Sequence, residues 1–271
     1  MNDALRSRQR PGLVALDVDG TLVTYEQFYA PPRPAVREAV RQVTAAGAHV
    51  VVATGRSLHS TVRVFEHLGL TEGYAVCSNG AVVVDVATHE AVYTETFDAT
   101  APVEYFARHV PDAVMAVEDH GVGFRVTGEF PEGELDGTVT HVTHAELLSA
   151  PISRLVLRWP GGDPQRFRAL AAKSGLDSVD YEIGFSAWLD VVPKGVSKAS
   201  GLEFVCDKLG VDARQVLAIG DGHNDVQMLR WAGHGAAMGQ APDDVRAIAD
   251  SVLPTVEDDG TAHALTTAFA P

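Results

Sequence analysis

The sequence predicts an α/β protein: a doubly wound parallel-sheet core interrupted by an inserted α+β domain. Three observations carry this expectation. Short apolar runs rich in Val, Ile and Leu alternate with helical patterns through the first third of the chain. The same rhythm returns in the last quarter. Between them, apolar residues recur with a period of two, as in half-buried antiparallel strands. Strands that are apolar on both faces need helices above and below. Strand–helix–strand spacing supplies them in a parallel sheet.

In chain order, Leu13 to Leu16 reads as a buried strand that ends at Asp17. Pro34 to Ala46 reads as a helix with Val36, Ala39, Val40 and Val43 on one face, stopped by Gly47. His49 to Ala53 is a second strand, Ser57 to Leu68 a second helix, and Tyr74 to Cys77 a third strand. Val82 to Asp85 and Ala91 to Thr94 flank a turn at Thr88 and His89, the pattern of a hairpin. In the middle, Ile152 to Leu157 is a strand and Gln165 to Lys173 a helix. Val179 to Glu182 and Ala187 to Val191 form an antiparallel pair. The last quarter gives a helix over Ser197 to Leu209, a strand over Val216 to Ile219 and a helix from about Asn224 to Ala232. A short strand, His234 to Ala237, a helix over Asp243 to Ala249 and a last strand at Ser251 to Leu253 follow. The expected division is a core of residues 1–98 and 193–271 around a cap of residues 99–192.

The 271 residues suffice for one large domain or two modest ones, and 46% hydrophobic with 21% charged residues is an ordinary globular balance. A net charge of −15 repels phosphate backbones, which argues against nucleic acid as a partner. It also repels a small anionic substrate unless a metal, Lys or Arg offsets the field locally. Cys77 and Cys206 lie far apart in apolar surroundings, as buried free thiols do. The polar start lacks the apolar core of a signal peptide, and no run approaches the ~20 residues of a membrane span. The expected setting is cytoplasmic, with no membrane partner.

In an open parallel sheet, ligands bind beyond the carboxyl ends of the strands. Four apolar runs here end in small, polar or acidic residues. They are Asp17-Val18-Asp19-Gly20-Thr21, Thr54-Gly55-Arg56, Ser78-Asn79-Gly80, and Gly220-Asp221-Gly222-His223-Asn224-Asp225. Any one could be an ordinary turn; four on one sheet edge aim several carboxylates at one crevice. Clustered carboxylates repel one another unless a cation neutralises them. An all-oxygen site with few carboxylates suits Mg2+, which also binds phosphate oxygens. Lys194 and Lys198 precede the second half of the sheet, and Lys198 opens a helix whose amides also favour an anion.

These residues resemble the haloacid dehalogenase-like superfamily, in particular its Cof-like sugar-phosphatase branch. Asp17-Val18-Asp19-Gly20-Thr21, Thr54-Gly55-Arg56, Lys198 with its Gly195-Val196-Ser197 lead-in, and Gly220 to Asp225 match its four motifs in order. The resemblance covers the core; the cap matches in position and approximate size, not by a sharp motif. Gln240 departs from the pattern where Asn is common, which puts a secondary contact in doubt. The resemblance implies a Mg2+-dependent phosphatase with Asp17 as nucleophile and Asp19 as general acid and base. Thr54, Gly55, Asn79 and Lys198 would bind the phosphate. Asp17, the Asp19 main-chain carbonyl and Asp221 would hold the metal, with Asn224 and Asp225 in support.

An acid at position 19 favours ester cleavage over dehalogenation, because a halide leaves unprotonated. Two other readings stand beside a phosphatase acting on a small phosphorylated metabolite. A phosphosugar mutase is disfavoured by the late insertion. A silent binding module is disfavoured because Asp17, Asp19 and Lys198 are all present. Arg56 is expected to make an ion pair or cap a loop, His223 to be exposed or structural, and Trp159, Phe185 and Trp188 to belong mostly to the cap's core.

Overall fold

The computed structural model describes residues 10–173, 179–183 and 187–270. Its first sheet is parallel throughout and has the strand order β14-β13-β12-β1-β2. The strands are β1 (Leu13–Leu16), β2 (His49–Val52), β12 (Val216–Gly220), β13 (His234–Ala237) and β14 (Ser251–Val252). β1 is buried at every position and lies between β12 and β2, as a run apolar on both faces requires.

Helices cover both faces. On α1 (Pro34–Ala45), Val36, Ala39, Val40 and Val43 are the buried positions, and proline occupies the first turn, where its missing N–H costs nothing. α2 (Leu58–Leu68) starts at Ser57, whose hydroxyl accepts from the Ser60 amide. α6 (Lys198–Leu209) starts at Ser197 with a capping box to Ser200. A helix absent from the sequence reading, α9 (Gly260–Ala268), buries Ala262, Ala264 and Leu265 in the same core as α1. Its signal was weak because small residues, Ala and Thr, carry its apolar face.

β3 (Tyr74–Cys77) lies parallel to the end of β2, as expected, but that contact is short. It meets the core sheet at a single bridge, Ala53 to Val76, and pairs antiparallel with β4 (Val82–Asp85). β4 in turn pairs with β5 (Glu90–Thr94). Beyond the bridge, Thr54 N donates to Val76 O at 2.8 Å and Asn79 N donates to Thr54 O at 3.0 Å.

A second sheet has the order β10-β11-β9-β6-β7-β8. Its strands are β6 (Val114–Asp119), β7 (Gly123–Val126), β8 (Thr138–His141), β9 (Leu155–Arg158), β10 (Val179–Ile183) and β11 (Trp188–Pro193). All neighbours pair antiparallel except β7 and β8, which are parallel. Alternation sorts the side chains. Met115, Val117, Leu155, Leu157, Leu189 and Val191 pack with Phe106 of α3 (Thr100–His109) and Phe167 of α5 (Pro164–Lys173). On the opposite face Ala116, Phe124, Val126 and Val156 cluster with Trp188. That second face looks toward the carboxyl edge of the core sheet.

Both cysteines are buried and free. Burial pushes the Cys77 thiol up to about 12 and the Cys206 thiol up to about 11. An ordinary thiol titrates near ~8.5 and is partly thiolate in mildly alkaline buffer. Ellman's reagent is therefore expected to label neither cysteine of the native chain in the time it takes to titrate both in urea. Rapid labelling of the folded protein would contradict this packing.

Candidate active site

The parallel register sets the ends of β1, β2 and β12 side by side. Asp17 follows β1, Thr54 follows β2 and Asp221 follows β12. Lys198 enters from the first turn of α6, with its side chain wholly buried. Its Nζ donates to Asp17 Oδ1 at 2.6 Å and to Asp225 Oδ1 at 2.6 Å. Asp225 accepts through its other oxygen from the Asp221 and Gly222 amides, each at 2.9 Å. Asp225 thus anchors the lysine and shapes the loop that presents Asp221.

The carboxylates of Asp17, Asp221 and Asp225 offer oxygens within 4.8 Å of one another, all from buried residues. Lys198 alone bridges two of them. Burial first, then Asp225, raises the Asp17 carboxyl well above its usual range, against the pull of Lys198. Asp221 is pushed up to about 6, again by burial first and then by Asp225. Burial works against the Lys198 charge, but Asp17 and Asp225 more than offset it and hold that ammonium charged. Three carboxylates thus share one ammonium. Asp17 Oδ2 is buried without a hydrogen-bond partner. A surplus of buried negative charge and an orphaned carboxylate oxygen suit a bound divalent cation.

Gly20 makes the approach possible. It adopts φ +83°, and a Cβ there would lie 2.0 Å from Asp221 Oδ2. Glycine is the residue that satisfies both the left-handed backbone and the close approach. Tyr25, which sequence reasoning missed, donates its hydroxyl to Asp221 Oδ2 at 3.0 Å. Gln240 holds the same corner. Its Nε2 donates to Gly20 O at 2.5 Å and to Asp221 Oδ2 at 3.3 Å, while its Oε1 accepts from the Val256 amide. The departure from Asn at this position therefore leaves the contact to Asp221 in place.

Both carboxylate oxygens of Asp19 accept from Arg56, Oδ2 from Nε at 2.9 Å and Oδ1 from Nη2 at 2.6 Å. The expected ion pair of Arg56 is thus made with Asp19. Phe28, another residue without a sequence signal, lies 3.6 Å from the Arg56 guanidinium carbon and stacks on it. Thr54 is fully buried, and its Oγ1 accepts from the Arg56 amide at 3.1 Å. Asn79 and Ser78 take left-handed backbone, φ 54° and 50°, a conformation that costs non-glycine residues about 1 kcal/mol or more. Asn79 Oδ1 accepts from Asn224 Nδ2 at 3.0 Å. A Cβ on Gly55 would come within 3.0 Å of the same oxygen.

A cavity of about 520 Å3 lies above these groups. Asp17, Asp19, Gly55, Asn79, Asp221 and Asn224 are on its core side. Phe124, Arg154, Trp188 and Asp190 face them from the second sheet. Thr54, Lys198 and Asp225 sit beneath that surface, fully buried. The sequence-predicted residues are therefore brought together in two layers. His223 is at the rim, exposed and paired with Asp244 at 3.0 Å. Trp159 packs with Phe167, Trp188 lines the cavity, and Phe185 lies outside the described residues.

A parallel sheet whose strand ends present aspartates to a buried lysine, beneath a second sheet, defines an α/β protein with a doubly wound core and a cap over its carboxyl edge. A family model for haloacid dehalogenase-like hydrolases matches residues 14–265. A phosphoglycolate phosphatase of Natronomonas pharaonis is 32% identical over 93% of this chain and 95% of its own. A 5-amino-6-(5-phospho-D-ribitylamino)uracil phosphatase of Bacillus subtilis is 28% identical over 93% of this chain and 94% of its own. A solved phosphatase of the same superfamily from Bacteroides thetaiotaomicron superposes with a TM-score of 0.79. It is 26% identical, and 94% of each chain is covered. The chain belongs to the haloacid dehalogenase-like hydrolase family, and within it the chain is a phosphatase.

Removing the lysine should expose the electrostatic cost it offsets. Lys198→Met is expected to lower stability by about 3–5 kcal/mol in metal-free buffer, because it leaves buried carboxylates unpaired. Adding Asp225→Asn should restore part of that loss. Urea unfolding reads both; a Lys198→Met change of under about 0.5 kcal/mol would contradict the pairing.

Proposed function

We propose that this phosphatase hydrolyses small phosphate monoesters, sugar phosphates or similar metabolites, through a phospho-aspartyl intermediate on Asp17, with Mg2+ as its cofactor. The observation that carries this reading is Asp17 itself. It lines the cavity with one oxygen held by Lys198 and the other unclaimed by any hydrogen bond. Mg2+ held by Asp17, Asp221 and the Asp19 main-chain carbonyl would supply the positive charge that lets a phosphate approach.

In the first half-reaction an Asp17 oxygen attacks phosphorus, and the bond from phosphorus to the ester oxygen breaks. The departing oxygen takes a proton from the Asp19 carboxyl group. In the second, water attacks phosphorus, gives its proton to Asp19, and the bond from phosphorus to Asp17 breaks to release phosphate. Lys198 offsets charge on Asp17 throughout. Asn79 and the Gly55 amide orient the phosphoryl oxygens. The buried Thr54 supports that loop, its hydroxyl oxygen already accepting from Arg56.

Asp19 cannot serve the leaving group while both its oxygens are on Arg56. It must turn from the guanidinium toward the cavity as substrate enters. Phe28 keeps Arg56 stacked in place meanwhile. Residues 99–192 form the cap that sets specificity in this reading, through Phe124, Trp188, Arg154 and Asp190. Two relatives bear the names of small-molecule phosphatases, which supports the substrate class.

Two outcomes follow. Hydrolysis of p-nitrophenyl phosphate is expected to require Mg2+ and to stop with a chelator; Ca2+, with looser and higher coordination, should replace it poorly. Full turnover in metal-free buffer would count against the cofactor. Asp17→Asn should abolish turnover, and Asp19→Asn should slow it by about a hundredfold or more. The Asp19→Asn loss should be smaller for p-nitrophenyl phosphate than for an alkyl phosphate, whose leaving oxygen needs the proton more. Equal losses on the two esters would remove Asp19 as the acid.

A further inference from the structure

Glu118 is a buried carboxylate with no part in the chemistry above. It lies near the end of β6 in the cap, yet both its oxygens bond to the core. Oε1 accepts from the Leu58 amide at 2.9 Å, and Oε2 accepts from the Ser78 hydroxyl. The residue is 7% exposed. Burying a carboxylate is unfavourable unless its oxygens are satisfied. The satisfaction comes from across the boundary between the two sheets. Leu58 is the first residue of α2, where amides lack intrahelical partners and the helix end is positive.

Both partners adjoin the candidate phosphate-binding groups. Leu58 is separated from Thr54-Gly55-Arg56 by Ser57 alone. Ser78 precedes Asn79, and both take left-handed backbone, which asparagine tolerates better than serine. From the core side that turn is held by Ser78 N to Arg56 O at 2.9 Å and Asn79 N to Thr54 O at 3.0 Å. Glu118 holds it from the cap side. Next to this contact, His59 Nδ1 lies 3.3 Å from Gly121 O, so the loop after β6 also rests on α2.

We infer that Glu118 is a positioning residue: by bonding Leu58 and Ser78 it makes the placement of Gly55 and Asn79 depend on the cap being seated. A cap that lifts takes the carboxylate away from both partners. The strained Ser78–Gly80 turn and the start of α2 then lose their outer restraint together. Substrate enclosure and phosphate-site order become one event.

The kinetic half of the test rests on the phosphatase reading; the exchange half does not. Glu118→Ala, Glu118→Gln, Ser78→Ala and the Glu118→Ala/Ser78→Ala pair are compared in the full chain. Steady-state p-nitrophenyl phosphate kinetics and amide hydrogen exchange are the readouts. Glu118→Ala is expected to lower kcat about tenfold or more with a smaller change in KM, the size of a lost hydrogen bond to a charged acceptor. Amides at Leu58 and Asn79 should exchange faster. Glu118→Gln keeps an acceptor for Leu58 and a donor for Ser78, and should recover most of the rate. Ser78→Ala should lose less than Glu118→Ala, and the double variant no more than Glu118→Ala, because Glu118→Ala breaks two bonds and the one that Ser78→Ala breaks is among them.

The inference is overturned if Glu118→Ala keeps parental exchange at Leu58 and Asn79. It is also overturned if the Glu118→Ala and Ser78→Ala losses multiply as independent effects. Should Glu118→Ala fail to fold, Ser78→Ala with parental kcat and parental exchange at Asn79 overturns it. If the parent chain turns over no phosphate ester, the proposed function falls, and the exchange comparison alone decides the role of Glu118.

Discussion

The ion triad of Lys198 with Asp17 and Asp225 is the constraint on which the rest of this structure depends. It joins three separate stretches of chain: the end of β1, the start of α6 and the loop after β12. Buried charges are tolerated only where each finds a partner. Much of the local geometry follows from that need. Asp225 must approach the backbone closely, and a Cβ on Gly220 would lie 2.4 Å from its carboxyl carbon. Its second oxygen then folds the Asp221–Gly222 amides around itself. Asp221 is thereby carried to the side of Asp17, where the lysine no longer suffices and a further cation is called for. Core packing supplies the platform, since β1 and β12 are buried along their whole lengths.

The core was legible in the sequence because its signals are short-range. A run such as Leu13 to Leu16 can only be a strand covered on both faces, and the residue after it must point at the crevice. Applied to the runs ending at Asp17, Thr54 and Asp221, that rule led to the sheet edge that the structure places beneath the cavity. Failures came where the deciding contact is long-range or the signal is small. β3 reads as a parallel strand and meets β2 in that sense, but its longer ladder runs antiparallel to β4 across the turn at Ser78–Gly80. Helix α9 hides behind Ala and Thr. Tyr25, Phe28 and Glu118 sit in segments with no motif, and their roles come from partners distant in sequence. Glu118 follows the apolar run Val114 to Val117 and precedes Asp119 and His120, so the sequence marks it only as a polar strand end.

Arg56 and Asp19 show how a single site can hold a reactive group in reserve. The guanidinium engages both oxygens of Asp19 and is itself fixed by the ring of Phe28. In the proposed reaction this pair would hold the acid beside the cavity until substrate enters. Arg56 also carries the amide that Thr54 accepts from, and its carbonyl receives the Ser78 amide. One residue therefore touches Asp19, Thr54 and the left-handed turn at Ser78, and a change at Arg56 would be felt in all three.

The alternation in the cap sheet has an evolutionary consequence. Residues of one parity, such as Met115, Leu155, Leu157 and Leu189, are committed to the packed layer under Phe106 and Phe167. Those of the other parity, such as Phe124, Trp188 and Asp190, border the cavity, where the half-buried Trp188 can change at less cost than Phe124, packed on Val126 and Val156, or Asp190, paired with Arg154. Selection can therefore retune one set while the other stays fixed. If the cap sets specificity as proposed, a lineage built on this sheet would change its substrate by exchanging side chains at alternate positions, without rebuilding the domain that carries them.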